Sequence, residues 1–431
     1  MNSESVLEIF REITRIPRES GHEEKMIEFL QNFAAAHNLA CKTDAIGNVV
    51  ITKEATPGKE NVPAIALQSH QDMVCEKIVG SKHDFTKDPI NYVIKDGWMI
   101  AEETTLGADD GIGVAATLAL LASDLHTGKV EGLFTISEET GMDGAMAMEP
   151  GFIESHTLLN LDSEDEGQLF VGCAGGIDTT AVFRYEREKA NAGAVPVKLR
   201  FFNALGGHSG DDINKERANT VLIMARFLYS ELGKYQLAEL EGGSKRNAIA
   251  RDSEAVVYVA ENEVDSFIDR FNVFAADVKN EFHNTDPDLK AEANRVEYNV
   301  EPVQHGVIAM SQDIAGLVET SSNLASVKMN EPGVITVMRS QRSSTNSEKK
   351  FAADKVEAAF LLAGAEVGHS DPYPGWAPNM NSPILKESVE SYKRLFGTEP
   401  EVKAIHAGLE CGLFLEKFPY LDMVSFGPTL R

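Results

Sequence analysis

The chain has 431 residues, 43% hydrophobic and 25% charged, a globular composition that is too long for one ordinary domain. Sixty-seven acidic residues against 40 basic ones give a formal net charge of −27. Such a field repels phosphate backbones and anionic lipid, which argues against nucleic-acid or membrane partners.

The apolar runs are too short and interrupted to span a bilayer. Met1-Asn2-Ser3-Glu4-Ser5 carries no basic, apolar leader, so no export signal is expected. Cys41, Cys75, Cys173 and Cys411 are scattered without CxxC spacing, which fits a reducing, cytoplasmic setting.

Two helical patterns open the chain, Ser5–Ile16 and Glu23–His37, separated by Pro17-Arg18-Glu19-Ser20-Gly21. Asn48–Ile51, Ala64–Gln68 and Val130–Ile136 read as strands, and the Ala/Leu-rich Gly113–Ala122 reads as a helix. A further apolar run, Thr157–Leu161, precedes an acidic cluster. Strand–helix–strand alternation predicts an α/β fold with a mixed, mainly parallel sheet and flanking helices. From about Gly176 the texture changes to Val197–Phe202, Arg217–Leu232, Ala255–Ala260, Glu263–Phe282 and Ile335–Met338, an inserted α+β domain. After the Pro-rich crossing Asp371–Pro378, the helix Ser382–Leu395 and the run Met423–Phe426 should return to the first domain. The expected division is therefore 1–175 with 377–431, and 176–376 for the insert.

Polar residues cluster just beyond the strands, at the edge where open α/β sheets bind ligands. In His70-Gln71-Asp72 the imidazole and the second carboxylate share one face of an extended segment, so Asp72 can orient a metal-bound His70. Leu106–Gly113 sets Asp109 and Asp110 between glycines. Two adjacent acids there repel unless a cation is near; Asp109 could bridge two metals, and Asp110 could equally cap the following helix.

Ser137-Glu138-Glu139-Thr140-Gly141 follows a strand, whose alternation would point the two glutamates to opposite faces. One can then bind metal while the other takes a proton from an attacking water. Asp162 ends another apolar run. Each element alone is as easily a solvated acid or turn. Four of them on successive strand ends favour a cation site. In the insert, Leu205–Gly210 places His208 between glycines, suited to a substrate oxygen, and Arg342 could clamp a carboxylate or pair with a surface acid.

These residues, in this order, resemble the cocatalytic zinc metallopeptidase family of glutamate carboxypeptidases, aminoacylases and carnosine-type dipeptidases, and within it the bacterial aminoacyl-histidine (Xaa-His) dipeptidase branch. The segments that carry the resemblance include His70–Val74, Thr104–Gly113, Glu138–Gly141, Leu159–Gly176, Gly206–Gly210, Gly242–Arg251, Trp376–Pro383, Ile405–Gly412 and Met423–Thr429. The resemblance implies hydrolysis of dipeptides and short peptides by a catalytic domain with a lid and dimerisation insert, in a homodimeric enzyme of the cytoplasm.

It further implies two divalent ions, zinc with cobalt or manganese as alternatives. His70, Asp109 and Asp162 would hold one, and Asp109 with Glu139 the other. Glu138 would be the general base, Asp72 the orienting acid and His208 the oxyanion donor. Asn247, Arg342 and His406 would face the substrate, and the Asp109–Asp110 peptide bond would be cis. The family carries a last histidine ligand beyond the segment resembling Ser425–Leu430, so the second site is expected to lack one ligand in this chain. A deacylase of N-acyl amino acids, or a catalytically impaired binding relative, would share the same metal residues.

Overall fold

The computed structural model describes residues 2–78, 80–185, 188–210, 212–243, 245–295, 306–310, 318–331 and 333–430. The chain divides into two compact units. One comprises Met1–Cys173, Trp376–Ala404 and Leu409–Arg431; the other comprises Ala174–Gly375 and Ile405–Gly408. The junctions lie within two residues of the expected ones, but the short segment Ile405–Gly408 belongs to the second unit rather than the first.

The first unit is built on an eight-stranded sheet. Its central strands, Val130–Thr135, Ile65–His70, Thr157–Asn160 and Asp422–Ser425, run parallel in that order. Toward one margin the pairing turns antiparallel through Val49–Lys53 and Ala40–Thr43, because a five-residue turn joins those two strands directly. The sheet is thus mixed, with a parallel centre. Val130–Thr135 is buried along its whole length, as expected of a strand covered on both faces.

Two helices at the start of the chain bury one stripe each. Ser3–Ile13 has a capping box between Asn2 and Ser5 and buries Phe10 and Ile13. Glu24–Ala36 buries Met26, Leu30 and Ala34, residues spaced four apart on one face. The helix Ala108–Leu121 buries Val114, Ala115, Leu118 and Leu121 in the same core.

The second unit is an antiparallel sheet of nine strands with helices Thr220–Ser230, Val264–Glu281 and Asn346–Leu362. Its core centres on aromatic rings: Phe227 stands 5.0 Å from Phe271 and 5.4 Å from Phe267, both edge-on.

Gly132 governs how closely the helix Ala108–Leu121 approaches the sheet. A Cβ there would lie 2.7 Å from Thr117 Cγ2 and 2.9 Å from Leu121 Cδ1. Gly132→Val is expected to destabilise the first unit by about 1–3 kcal/mol through overpacking. Urea unfolding would measure it, and an unchanged midpoint would show that the helix can retreat at no cost.

Candidate metal centre

Three parallel strands deliver the site. Ile65–His70 ends on His70 itself, Val130–Thr135 leads into Glu138 and Glu139, and Thr157–Asn160 leads to Asp162. His70 and Thr135 are register partners, so the first two of these ends lie side by side. The fourth element is the turn before the helix Ala108–Leu121, where the Asp109–Asp110 peptide bond is cis and both residues have non-helical dihedrals.

Asp110 links this turn to the sheet. Its carboxylate accepts from the Gly113 amide at 3.2 Å, a capping contact, and from the His70 amide at 3.3 Å. A side chain at Gly113 would collide with that carboxylate, which explains the glycine.

His70 is fully buried. Its Nε2 lies 2.9 Å from Asp109 Oδ1 and 3.4 Å from Asp162 Oδ1, while its Nδ1 lies 3.3 Å from Asp72 Oδ1. One ring nitrogen therefore faces the acid pair and the other faces Asp72, an arrangement that fixes the tautomer and ring orientation of a metal-bound imidazole.

Glu138 and Glu139 do not occupy the strand end that alternation predicted for them. The strand stops at Thr135, Ser137 takes a left-handed φ of 52°, and the glutamates head a short helical turn, Glu138–Gly141. The reason is Asp72: its buried carboxylate accepts the Glu138 amide at 3.1 Å and the Glu139 amide at 3.2 Å, which pulls the backbone into a turn. Both side chains still approach His70, and each offers an oxygen to a group whose ligand atoms lie within 4.8 Å of one another. His70, Asp109 and Asp162 form a second such group. Because His70 Nε2 faces Asp109 and Asp162, the imidazole belongs with that pair. Glu139 Oε1 is buried without a hydrogen-bond partner.

Burial dominates the protonation of this crowd. It pushes the Glu139 carboxyl up to about 8 and that of Asp162 up to about 6, and it raises Glu138 well above the usual range with help from the Asp162 charge. For His70, burial would lower the imidazole, but Asp162, Asp109 and Asp72 outweigh it and hold it well above its usual value. Carboxylates crowded this closely, with burial raising their pKa values, suit a divalent cation beside one imidazole; nitrogen with carboxylate oxygen fits zinc and tolerates manganese or cobalt.

The other predicted residues lie in the second unit. Arg342 pairs across strands with Ser321, whose Oγ is 2.8 Å from His406 Nε2, and Arg342 donates to Tyr373 Oη at 3.0 Å. His208 and Asn247 line one cavity of about 700 Å³, where the Ser209 amide donates to the Asn247 carbonyl. Gly210 joins the two sets: a Cβ there would stand 2.4 Å from the His406 carbonyl oxygen and 3.1 Å from His208 Cε1.

Sequence reading passed over Glu410. It is fully buried, and burial pushes its carboxyl up to about 8. It accepts 2.6 Å bonds from Gln68 and Thr135, neighbours of His70 on the paired strands. Its position in Ile405–Gly412 was legible, but its burial was not.

The profile of the family described as Peptidase family M20/M25/M40 matches residues 66–430. The chain is 38% identical over 449 aligned residues to the cytosol non-specific dipeptidase of Escherichia coli K12, covering 100% of this chain and 92% of that protein. The crystal structure of aminoacylhistidine dipeptidase from Vibrio alginolyticus superposes with a TM-score of 0.80 at 38% identity, covering 99% of this chain and 91% of that one. A tripeptidase structure from Staphylococcus aureus, with a TM-score of 0.56 and 18% identity over 99% and 90% of the two chains, shares the fold.

A cation that binds these side chains must displace their protons. Glu139, with its carboxyl at about 8, is mostly protonated at pH 7 and mostly deprotonated well above pH 8, and the surrounding carboxylates hold the His70 imidazole well above its usual value. Divalent-ion affinity should therefore rise with pH between about 6 and 8, with release of at least about one proton per ion near pH 7. Calorimetry in buffers of different ionisation enthalpy measures this, and binding without proton release would contradict it.

Proposed function

The chain belongs to peptidase family M20/M25/M40 and is a hydrolase acting on peptide bonds; on that premise we propose that it is a two-metal dipeptidase cleaving short peptides, Xaa-His dipeptides among them. The observation that carries this reading is the convergence of His70, Glu138, Glu139 and Asp162, from the ends of three parallel strands, with Asp109 from the turn before the helix Ala108–Leu121, in overlapping groups. The E. coli relative is named a non-specific dipeptidase and the Vibrio one an aminoacylhistidine dipeptidase, and both names favour dipeptides over N-acyl amino acids as substrates. The word cytosol in the first name supports a cytoplasmic enzyme.

His70, Asp109 and Asp162 would hold one ion, and Asp109 with Glu139 would hold a second. When bound, divalent ions of this kind polarise the scissile carbonyl and acidify the attacking water. Glu138 takes the water's proton; burial makes its carboxyl proton-avid, so it keeps that proton until the leaving amine collects it. Asp72 orients His70 and, through the two amides it accepts, the turn that carries Glu138. His208 is assigned to the developing oxyanion, and Asn247, Arg342 and His406 to the peptide's polar ends. The active assembly is a homodimer in which His208 serves the site of the second copy.

Supplied with Zn²⁺, Mn²⁺ or Co²⁺, the protein should hydrolyse a dipeptide panel and leave N-acyl amino acids largely untouched. Glu138→Gln should keep its metal and lose at least about 10²-fold in turnover. Metal loss instead, by elemental analysis, would exchange the roles of Glu138 and Glu139.

His208→Ala should lower kcat by about 10²–10³-fold at unchanged metal content. A normal kcat would leave His208 as a turn residue of the second unit.

A further inference from the structure

We propose that the loop joining the first two helices, from Pro17 to Glu23, is a positioning clasp for the metal centre, with Arg18, Ser20 and Glu23 each gripping a segment that carries its ligands or its base. The inference rests on the metal centre assigned above and extends it to residues that touch neither ion nor substrate.

Arg18 is 2% exposed. Its Nη1 donates to the Gln71 carbonyl at 2.9 Å and to the Asp72 carbonyl, and its Nη2 donates to the Gly107 carbonyl. One planar guanidinium thus spans the segment after His70 and the segment before Asp109. The main chain adds to the grip, since the Met73 amide donates to the Arg18 carbonyl at 3.1 Å. The fit leaves little slack: a Cβ on Gly107 or on Gly111 would lie 2.6 Å from Arg18 Nη2, and Gly107 has a φ of +70°.

Ser20 acts on the same centre from the side. Its hydroxyl donates to Asp72 Oδ2 at 2.7 Å, holding the carboxylate that faces His70 and receives the Glu138 and Glu139 amides. Glu23, 4% exposed, governs the third segment. Its Oε1 accepts the Ser137 amide at 3.0 Å, the Ser137 hydroxyl at 3.2 Å and the Gly21 amide at 2.9 Å. Ser137 is the residue whose left-handed backbone starts the Glu138–Gly141 turn.

The chemistry explains the residue types. A guanidinium presents several donors in a fixed fork, and an ammonium at the same place cannot span three carbonyls of two segments. Losing the fork leaves buried carbonyls unsatisfied and the two ligand segments free to drift. Shifts of order 1 Å in such shells are felt in both affinity and rate.

The test compares Arg18→Ala, Arg18→Lys, Glu23→Ala and Glu23→Gln with Asp109→Ala in the full chain. Zn²⁺ dissociation constants come from competition with a chromophoric chelator, with kcat and KM for a dipeptide alongside. Both Arg18 variants and Glu23→Ala should lose about 10–100-fold in Zn²⁺ affinity or in kcat, with KM little changed. Glu23→Gln, whose amide oxygen still accepts from Ser137, should stay within about threefold of the parent. Millimolar guanidinium should restore part of the Zn²⁺ affinity of Arg18→Ala.

Arg18→Lys and Glu23→Ala with parental Zn²⁺ affinity and kcat, changed only in melting temperature, would reduce the loop to a structural tie and overturn the proposal. These two variants decide the matter should Arg18→Ala fail to fold. Asp109→Ala marks the other failure: if it keeps its zinc, the metal assignment itself falls, whatever the Arg18 variants do.

Discussion

Asp72 has no exposed surface, and its two carboxylate oxygens meet four donors or partners. His70 Nδ1 and the Glu138 amide lie against Oδ1, and the Ser20 hydroxyl and the Glu139 amide lie against Oδ2. A single buried charge therefore fixes the imidazole that faces the acid pair and the turn that carries both glutamates. Burial works against its ionisation, but His70, Ser20 and the Glu138 amide hold the carboxyl below the usual carboxylate range. Its partners come from two strand ends and one loop, so neutralising or shortening this side chain would release two elements of the centre together.

The protein's acidity and its acidic centre are separate matters. Most of the net charge of −27 is solvated surface, and exposed pairs such as Arg184 with Glu366 contribute little to stability. The carboxylates that matter are those burial has made reluctant to ionise: Asp110, Glu138, Glu139, Asp162 and Glu410. Packing so many desolvated acids beside one imidazole is costly unless protons or cations neutralise them, and the same cost becomes affinity when a cation binds.

The second unit solves a different problem. Its antiparallel sheet sets Arg342 opposite Ser321, and Ser321 meets His406, while Gly210 lets the His208 loop lie against the His406 backbone. Polar side chains far apart in sequence thereby share one neighbourhood in the second unit. Such a neighbourhood is the support that the substrate-facing roles proposed for His208, Arg342 and His406 require.

The sequence by itself determined the pieces. Apolar runs of four to seven residues read as buried strands, the glycines around Asp109-Asp110 announced an unusual turn, and an acid or histidine followed each of three strands. Its change of texture near Gly176 and its Pro-rich crossing Asp371–Pro378 also suggested two units. What it left undecided had non-local causes. The Glu138–Gly141 turn exists because Asp72, 66 residues away from Glu138, accepts its amide, and no local pattern reports that. The long strand Val318–Glu331 is rich in polar residues and gains its identity from its neighbours in the sheet. Nothing local in the sequence reports that Glu410, Arg18 and Glu23 are buried; tertiary packing alone removes their water. Periodicity fixes which face of an element turns inward; only the packed structure decides which buried charge meets which donor, because those contacts join segments that the chain keeps far apart.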